Sequence, residues 1–122
     1  MKREFSFYIY ILTNYERTTF YIGVTNNIIR RIVEHQNGIG SEFTKKYKLK
    51  YLIYYENYQY IDEALAREKE LKKWSRKKKL DLIKTLNPEL LDFGKEILDD
   101  FGLTYEEEKE FIKEIKNICD LK

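Results

Sequence analysis

Arg31 and His35 lie four residues apart, so on a helix they share a face and can converge on one anion. A surface arginine beside a partly buried histidine would show the same spacing. Glu68 interrupts an apolar stripe of Ala64, Leu65 and Leu71. A carboxylate pointed at a core must be paired, protonated or bound to a cation. The choices are a salt bridge to a neighbouring lysine or arginine, or an oxygen ligand for Mg²⁺, which takes one or two carboxylates and keeps several waters. Tyr8, Tyr10, Tyr21 and Tyr55 form a third group. They suit a sheet core, yet a phenol can also hydrogen-bond a phosphate, or act as a base if a cation lowers its pKa.

Other chemistries are excluded by what the chain lacks. A serine triad could use only His35, and no Gly-x-Ser-x-Gly elbow is present. Gly38-Ile39-Gly40 runs on to Phe43 without a third glycine, and there is no P-loop. One cysteine, Cys119, and one histidine leave no internal disulfide and no zinc site built from Cys and His.

The elements that must carry these residues follow from periodicity. Residues 5–13 and 19–24 are rich in aromatic and β-branched side chains, and residues 14–18 are turn-like, which predicts an antiparallel hairpin. Tyr8, Tyr10 and Leu12 face one way and Phe7, Ile9 and Ile11 the other, so a strand apolar on both faces should be central. Residues 28–36 read as a helix between capping Thr25-Asn26-Asn27 and Asn37-Gly38, with Ile28, Ile29, Ile32 and Val33 buried. Residues 38–50 form a basic loop and 51–55 a third strand. Asp62 can cap a helix over 63–73, and Ser75 another reaching Leu86 before Asn87-Pro88. The order β-β-α-β-α-α gives an α+β domain, a small three-stranded antiparallel sheet packed with helices. Beyond it, Phe93, Ile97 and Phe101 have helical spacing. Thr104 to Glu107 is a capping box opening a helix with Phe111, Ile112, Ile115, Ile118 and Cys119 on one side. The expected division is a body over residues 1–90 and an acidic helical tail over 91–122 packed on it.

The chain has 122 residues, enough for one core, and its 43% hydrophobic and 36% charged residues argue against disorder. The longest apolar run, Phe7 to Leu12, is too short to span a bilayer, no secretory signal is seen, and a cytoplasmic location without membrane partners is expected. The net charge of +2 conceals an asymmetry. Residues 1–87 carry 18 Lys and Arg against 10 Asp and Glu, and residues 88–122 carry 5 against 11. A basic body suits a polyanion, although solvated helix faces would give the same tally.

Tyr8-Ile9-Tyr10, followed after ten residues by Tyr21-Ile22-Gly23, resembles the paired motif of the GIY-YIG nuclease family. Arg31 and His35 match that family's pair on the first helix, Glu68 its metal-binding glutamate and Asn87 its late asparagine. The resemblance covers residues 5–90 and is closest to small stand-alone bacterial members. Two positions depart: Tyr8 stands where the name motif has glycine, and Val24 where some relatives have lysine. The resemblance implies a metal-dependent endonuclease hydrolysing phosphodiester bonds of DNA, single-stranded or structured DNA included, with one divalent cation, Mg²⁺ or Mn²⁺, on Glu68. Tyr10 would activate the attacking water, Tyr21 and His35 would orient or relay its proton, and Arg31 would clamp a phosphate oxygen. Tyr8, Gly23, Lys45, Lys46 and Asn87 would contact substrate, with Phe43 or Tyr47 stacking on unpaired bases. The alternatives are a non-catalytic nucleic-acid-binding module of the same fold, or an interaction protein acting through its acidic tail. A homodimer is compatible with the sequence, which does not set the oligomeric state.

Overall fold

Asn14 closes the hairpin: its side-chain oxygen accepts from the Thr18 and Thr19 amides at 2.8 and 3.2 Å, and its Nδ2 donates to Thr18 Oγ1. The computed structural model describes residues 6–38, 41–94, 96 and 97. The strands the turn joins are β1 (Phe7–Thr13) and β2 (Phe20–Thr25), followed by α1 (Ile28–Gln36), α2 (Glu42–Lys46), β3 (Tyr51–Tyr58), α3 (Ile61–Lys73) and α4 (Arg76–Leu86). The sheet is antiparallel in the order β2-β1-β3, with β1 central as its two apolar faces require. The fold is therefore α+β, a small three-stranded sheet packed with helices.

Each face of the sheet has its own core. Tyr10 and Leu12 pack with Ile28, Ile32 and Val33 of α1, together with Leu49 and Leu52. Ile9, Ile11 and Ile22 pack with Leu71 of α3 and Ile83 of α4 on the other side. Burying an isoleucine or leucine fully contributes roughly 2 kcal/mol, so these two side chains anchor their helices firmly.

A bulge decides which β3 residues meet which core. The register with β1 shifts between Ile11, opposite Tyr54, and Leu12, opposite Leu52, leaving Ile53 as the extra residue. Ile53 and Tyr54 consequently join the same core, and Tyr55 turns to the α1 side, where it lies opposite Tyr10. Beyond the bulge Tyr54, Glu56 and Tyr58 share the α3 side. Both phenols donate to the Glu56 carboxylate, which also accepts from Arg67 Nε and Nη2 at 3.0 and 3.1 Å.

Several boundaries differ from the sequence expectation. The third strand runs three residues further, to Tyr58, because Tyr54 and Tyr58 gain a partner in Glu56. The basic loop contains α2, capped by Ser41, whose hydroxyl accepts from the Thr44 amide. Asp62 is not the cap of α3: the helix begins at Ile61, and the N-cap is Tyr60 without a side-chain hydrogen bond. Leu65, expected in the buried stripe, is 44% exposed, so α3 is held by Ala64 and Leu71. Ser75 caps α4 as expected.

The segment after Pro88 returns to the sheet. Leu52 donates its amide to Asp92 Oδ1 at 3.0 Å and accepts from the Phe93 amide at 2.7 Å, which covers the outer edge of β3. Phe93 also meets the Tyr55 ring edge-on. Phe101 and the helix expected from Thr104 onward lie outside the described residues. Among the described residues no helix is long and apolar enough to cross a membrane.

Candidate functional site

Tyr10, Tyr21 and His35 form a triangle of rings on the α1 side of the sheet. Their centroids stand 6.2 Å apart for Tyr10–Tyr21, 6.0 Å for Tyr10–His35 and 6.2 Å for Tyr21–His35. Strand register explains the first pair. Tyr10 pairs with Gly23 and Tyr21 with Leu12, so the tyrosines are diagonal neighbours on one face. Gly23 makes this possible, since a Cβ there would come within 3.0 Å of three atoms of the Tyr10 phenol. The phenol thus lies over the backbone of β2, and glycine is required for close approach. Tyr8 packs against Tyr55, 6.5 Å between centroids, further along the same face.

The α1 helix supplies the remaining polar groups. Asn27 caps it by accepting from the Arg30 amide. His35 lies on its buried face, 5% exposed, and neither ring nitrogen has a hydrogen-bond partner among the described residues. Burial, with the Arg31 charge adding to it, lowers the His35 pKa to about 4, so the imidazole is neutral at pH 7. Arg31 remains partly exposed and donates through Nη1 to Glu34 Oε2 at 3.1 Å, while Arg30 Nε donates to Oε1 of the same carboxylate at 3.0 Å. Glu34 itself is buried. It was not legible as a functional residue, and its one signal is a place three residues after Arg31 and four after Arg30.

Glu68 comes from α3, on the opposite side of the sheet from α1. It pairs loosely with Lys72 at 3.6 Å, one helical turn on, with its side chain 20% exposed. Tyr10 feels its charge. Burial raises the Tyr10 pKa above the ordinary phenol range, Tyr21, Glu34 and Glu68 add to the rise, and Arg31 opposes it. Tyr10, Tyr21 and His35 are thus brought together by direct packing, with Arg31 one helical turn from His35, while Glu68 comes from a fourth element and reaches Tyr10 through its charge.

Lys45 and Lys46 lie on α2, outside the tyrosines, next to an aromatic shelf. Tyr21 stacks on Phe43, with centroids 6.3 Å apart and planes at 30°, and Phe43 meets Tyr47 at 4.7 Å. Phe43 and Tyr47 are each 43% exposed, and Lys46 Nζ lies 5.4 Å above the Tyr47 ring. Asn87 is placed differently. Its Nδ2 donates to the carbonyls of Ile53 and Leu91, and its Oδ1 accepts from the Leu91 amide at 3.0 Å. The side chain is buried and committed to backbone, joining the end of α4 to β3.

A divalent cation fits this donor set. Among the described residues no three His, Cys, Asp or Glu side chains cluster as a closed metal cage would require. Glu68 is a half-buried carboxylate with one loose lysine partner, which suits a cation that keeps most of its water.

Comparison with known proteins identifies the family. Residues 6–81 match the GIY-YIG catalytic domain. A UPF0213 protein of Staphylococcus saprophyticus is 42% identical over 76 residues, 62% of this chain and 92% of the relative. A UPF0213 protein of Clostridium perfringens is 37% identical over 90 residues, 74% of this chain and 96% of the relative. The solution structure of a UPF0213 protein from Bacillus halodurans is 30% identical, with a TM-score of 0.47 covering 69% of this chain and 88% of that one. With its paired tyrosine motifs on one sheet face and its match across most of the body, the chain belongs to the GIY-YIG catalytic domain family, a family of nucleases.

Proposed function

We propose that the protein is an endonuclease that hydrolyses phosphodiester bonds of DNA with one Mg²⁺ or Mn²⁺ held by Glu68. The observation that carries this reading is the packing of Tyr10, Tyr21 and His35 into one ring triangle, with the Tyr10 phenol lying over Gly23. When bound, the cation supplies positive charge for the phosphate and the leaving oxygen. Arg31, steered by Glu34, holds a non-bridging oxygen of the scissile phosphate. With its pKa raised, Tyr10 is a protonated phenol at neutral pH and not a standing base. It can accept a proton from the attacking water only as its own proton leaves. The neutral imidazole of His35, in the same ring triangle, is the group able to receive it. Tyr21 orients the pair. Lys45 and Lys46 hold the backbone, and the 1–87 segment's excess of 18 Lys and Arg over 10 acids draws the polyanion in. Such a role belongs in the cytoplasm.

The aromatic shelf favours a strand with unpaired bases. Phe43 and Tyr47 extend the Tyr21 ring outward, which gives successive bases a surface to stack on and a duplex nothing comparable.

The test is cleavage of end-labelled single- and double-stranded oligonucleotides with and without Mg²⁺ or Mn²⁺. We expect metal-dependent cleavage, faster on single strands. Glu68→Gln should remove nearly all of it while DNA affinity stays within about threefold, because Lys and Arg contacts to phosphates dominate binding. Binding without cleavage by the unaltered protein would replace the enzyme with a binding module of the same fold.

A further inference from the structure

Beside the ring triangle, a pocket of about 280 Å³ opens between the end of α1 and the turn after α2, lined by His35, Gly38, Thr44, Lys45, Lys48 and Lys50. Three of the six lining side chains are lysines and none is acidic. Among the described residues none of these lysines is in an ion pair, whereas Arg30, Arg31, Arg67 and Lys72 all are. Lys48 is held with a φ of 55°, a left-handed conformation uncommon outside glycine, where the chain turns from α2 towards β3. The Leu49 amide bonds back to the Thr44 carbonyl at 2.9 Å, and Leu49 is fully buried, so the two flanking lysines stand on a fixed turn. The lining's one histidine is 5% exposed, with both nitrogens unpartnered among the described residues. Three lysines lining one pocket with no acidic side chain, beside a buried imidazole with an unpartnered N–H, are complementary to a multiply charged oxyanion.

We infer that this pocket is a second phosphate site, taking a phosphate group of the bound strand other than the one being cut. The inference rests on the nuclease reading for the identity of the strand. It adds that His35 joins the site of cleavage to a neighbouring anchor, which fixes where along a strand the cut falls. The phosphate could be a terminal monoester or an internal diester.

The single histidine provides a clean reporter. The unaltered protein, labelled with ¹⁵N and freed of metal with a chelator, is titrated with thymidine, thymidine 5′-monophosphate and the dinucleotide TpT while the His35 ring nitrogens are followed by NMR. At least one phosphate-bearing probe should shift them saturably and thymidine should not; whether the monoester or the diester binds more tightly identifies the end or the interior of a strand. Combined Lys48→Gln and Lys50→Gln, at exposed positions that leave the core intact, should weaken that binding about tenfold or more. Glu68→Gln should leave it unchanged although cleavage is lost, so failure of the pocket and failure of the metal assignment read out separately. No saturable shift up to about 20 mM probe, equal binding of thymidine, indifference to the lysine substitutions, or dependence on Glu68 would each overturn the inference.

Discussion

At the scale of single residues, the cluster is organised by what each group is prevented from doing. Tyr10 cannot shed its proton into a buried site, and His35 cannot easily keep one. Both shifts run against a Tyr10-to-His35 transfer in the free protein, so the proposed relay depends on positive charge near the phenol, from Arg31 and a bound cation. Tyr10→Phe removes the hydroxyl while retaining the ring that packs over Gly23. It should lower kcat by at least about a hundredfold, against about tenfold or less for Tyr21→Phe, measured on one oligonucleotide at neutral pH. Equal losses would return both phenols to the sheet core.

His35 also makes a stability prediction with a definite sign. Its folded pKa of about 4 lies below the ordinary 6.5, so between those values the unfolded chain binds a proton that the folded chain does not. The contribution is fully present above pH 6.5 and is lost as the pH falls towards 4, amounting to about 3 kcal/mol in all. Urea melts at pH 7 and pH 5 should show the decline, and His35→Gln should flatten it in this window, above the range where most carboxylates titrate.

At the scale of elements, the position of Glu68 is set by what holds α3 against the sheet. Leu71 and Ala64 supply the apolar grip, and Arg67, next to Glu68, supplies the polar one. Burial by itself would raise the Glu56 pKa, but hydrogen bonds from Arg67, Tyr54 and Tyr58 outweigh it and hold the carboxyl below its usual value. The Arg67 guanidinium also lies over the Trp74 ring at 5.1 Å and pairs with Glu70. Glu56→Ala strips three donors of their shared acceptor at once. We expect a loss of about 3 kcal/mol in urea denaturation. Activity should fall further than the unfolded fraction explains, because α3 is then free to shift Glu68. Unchanged kcat in the folded fraction would show that apolar packing alone sets the position of α3.

At the scale of the whole molecule, charge and edge coverage meet in the segment after Pro88. Residues 88–122 hold 5 Lys and Arg against 11 acids, and the segment's first described residues lie along β3. Truncation after Pro88 removes the Asp92 and Phe93 bonds to Leu52, the Leu91 partners of Asn87 and the Leu90 carbonyl that Arg17 Nε meets at 3.2 Å. A melting temperature lower by several degrees should follow, since each lost bond leaves a partner to be solvated at about 1 kcal/mol. The remaining body is more basic, so DNA should bind more tightly, most visibly at low salt. An unchanged melting temperature would mean that the segment contributes nothing to the body.

The sequence by itself determined every described element but α2, and it named the candidate residues. Alternation on both faces of residues 7–12 made β1 central, the Ile28–Val33 stripe made α1, and Ser75 started α4 where the structure starts it. These are local signals, fixed by side-chain period and capping chemistry within a few residues. Its silence was equally physical. One extra residue at Ile53 reverses the facing of everything after it in β3, and no local pattern distinguishes that bulge from regular alternation. On that reversal depend Tyr55 facing Tyr10 and Glu56 facing Arg67. Only the tertiary structure decided that Asn87 is spent on backbone, that Glu34 steers Arg31, and that His35 is buried deeply enough to stay neutral. Burial and partnership are set by segments distant in the chain, and a pKa is a property of that surrounding and not of the residue that carries it.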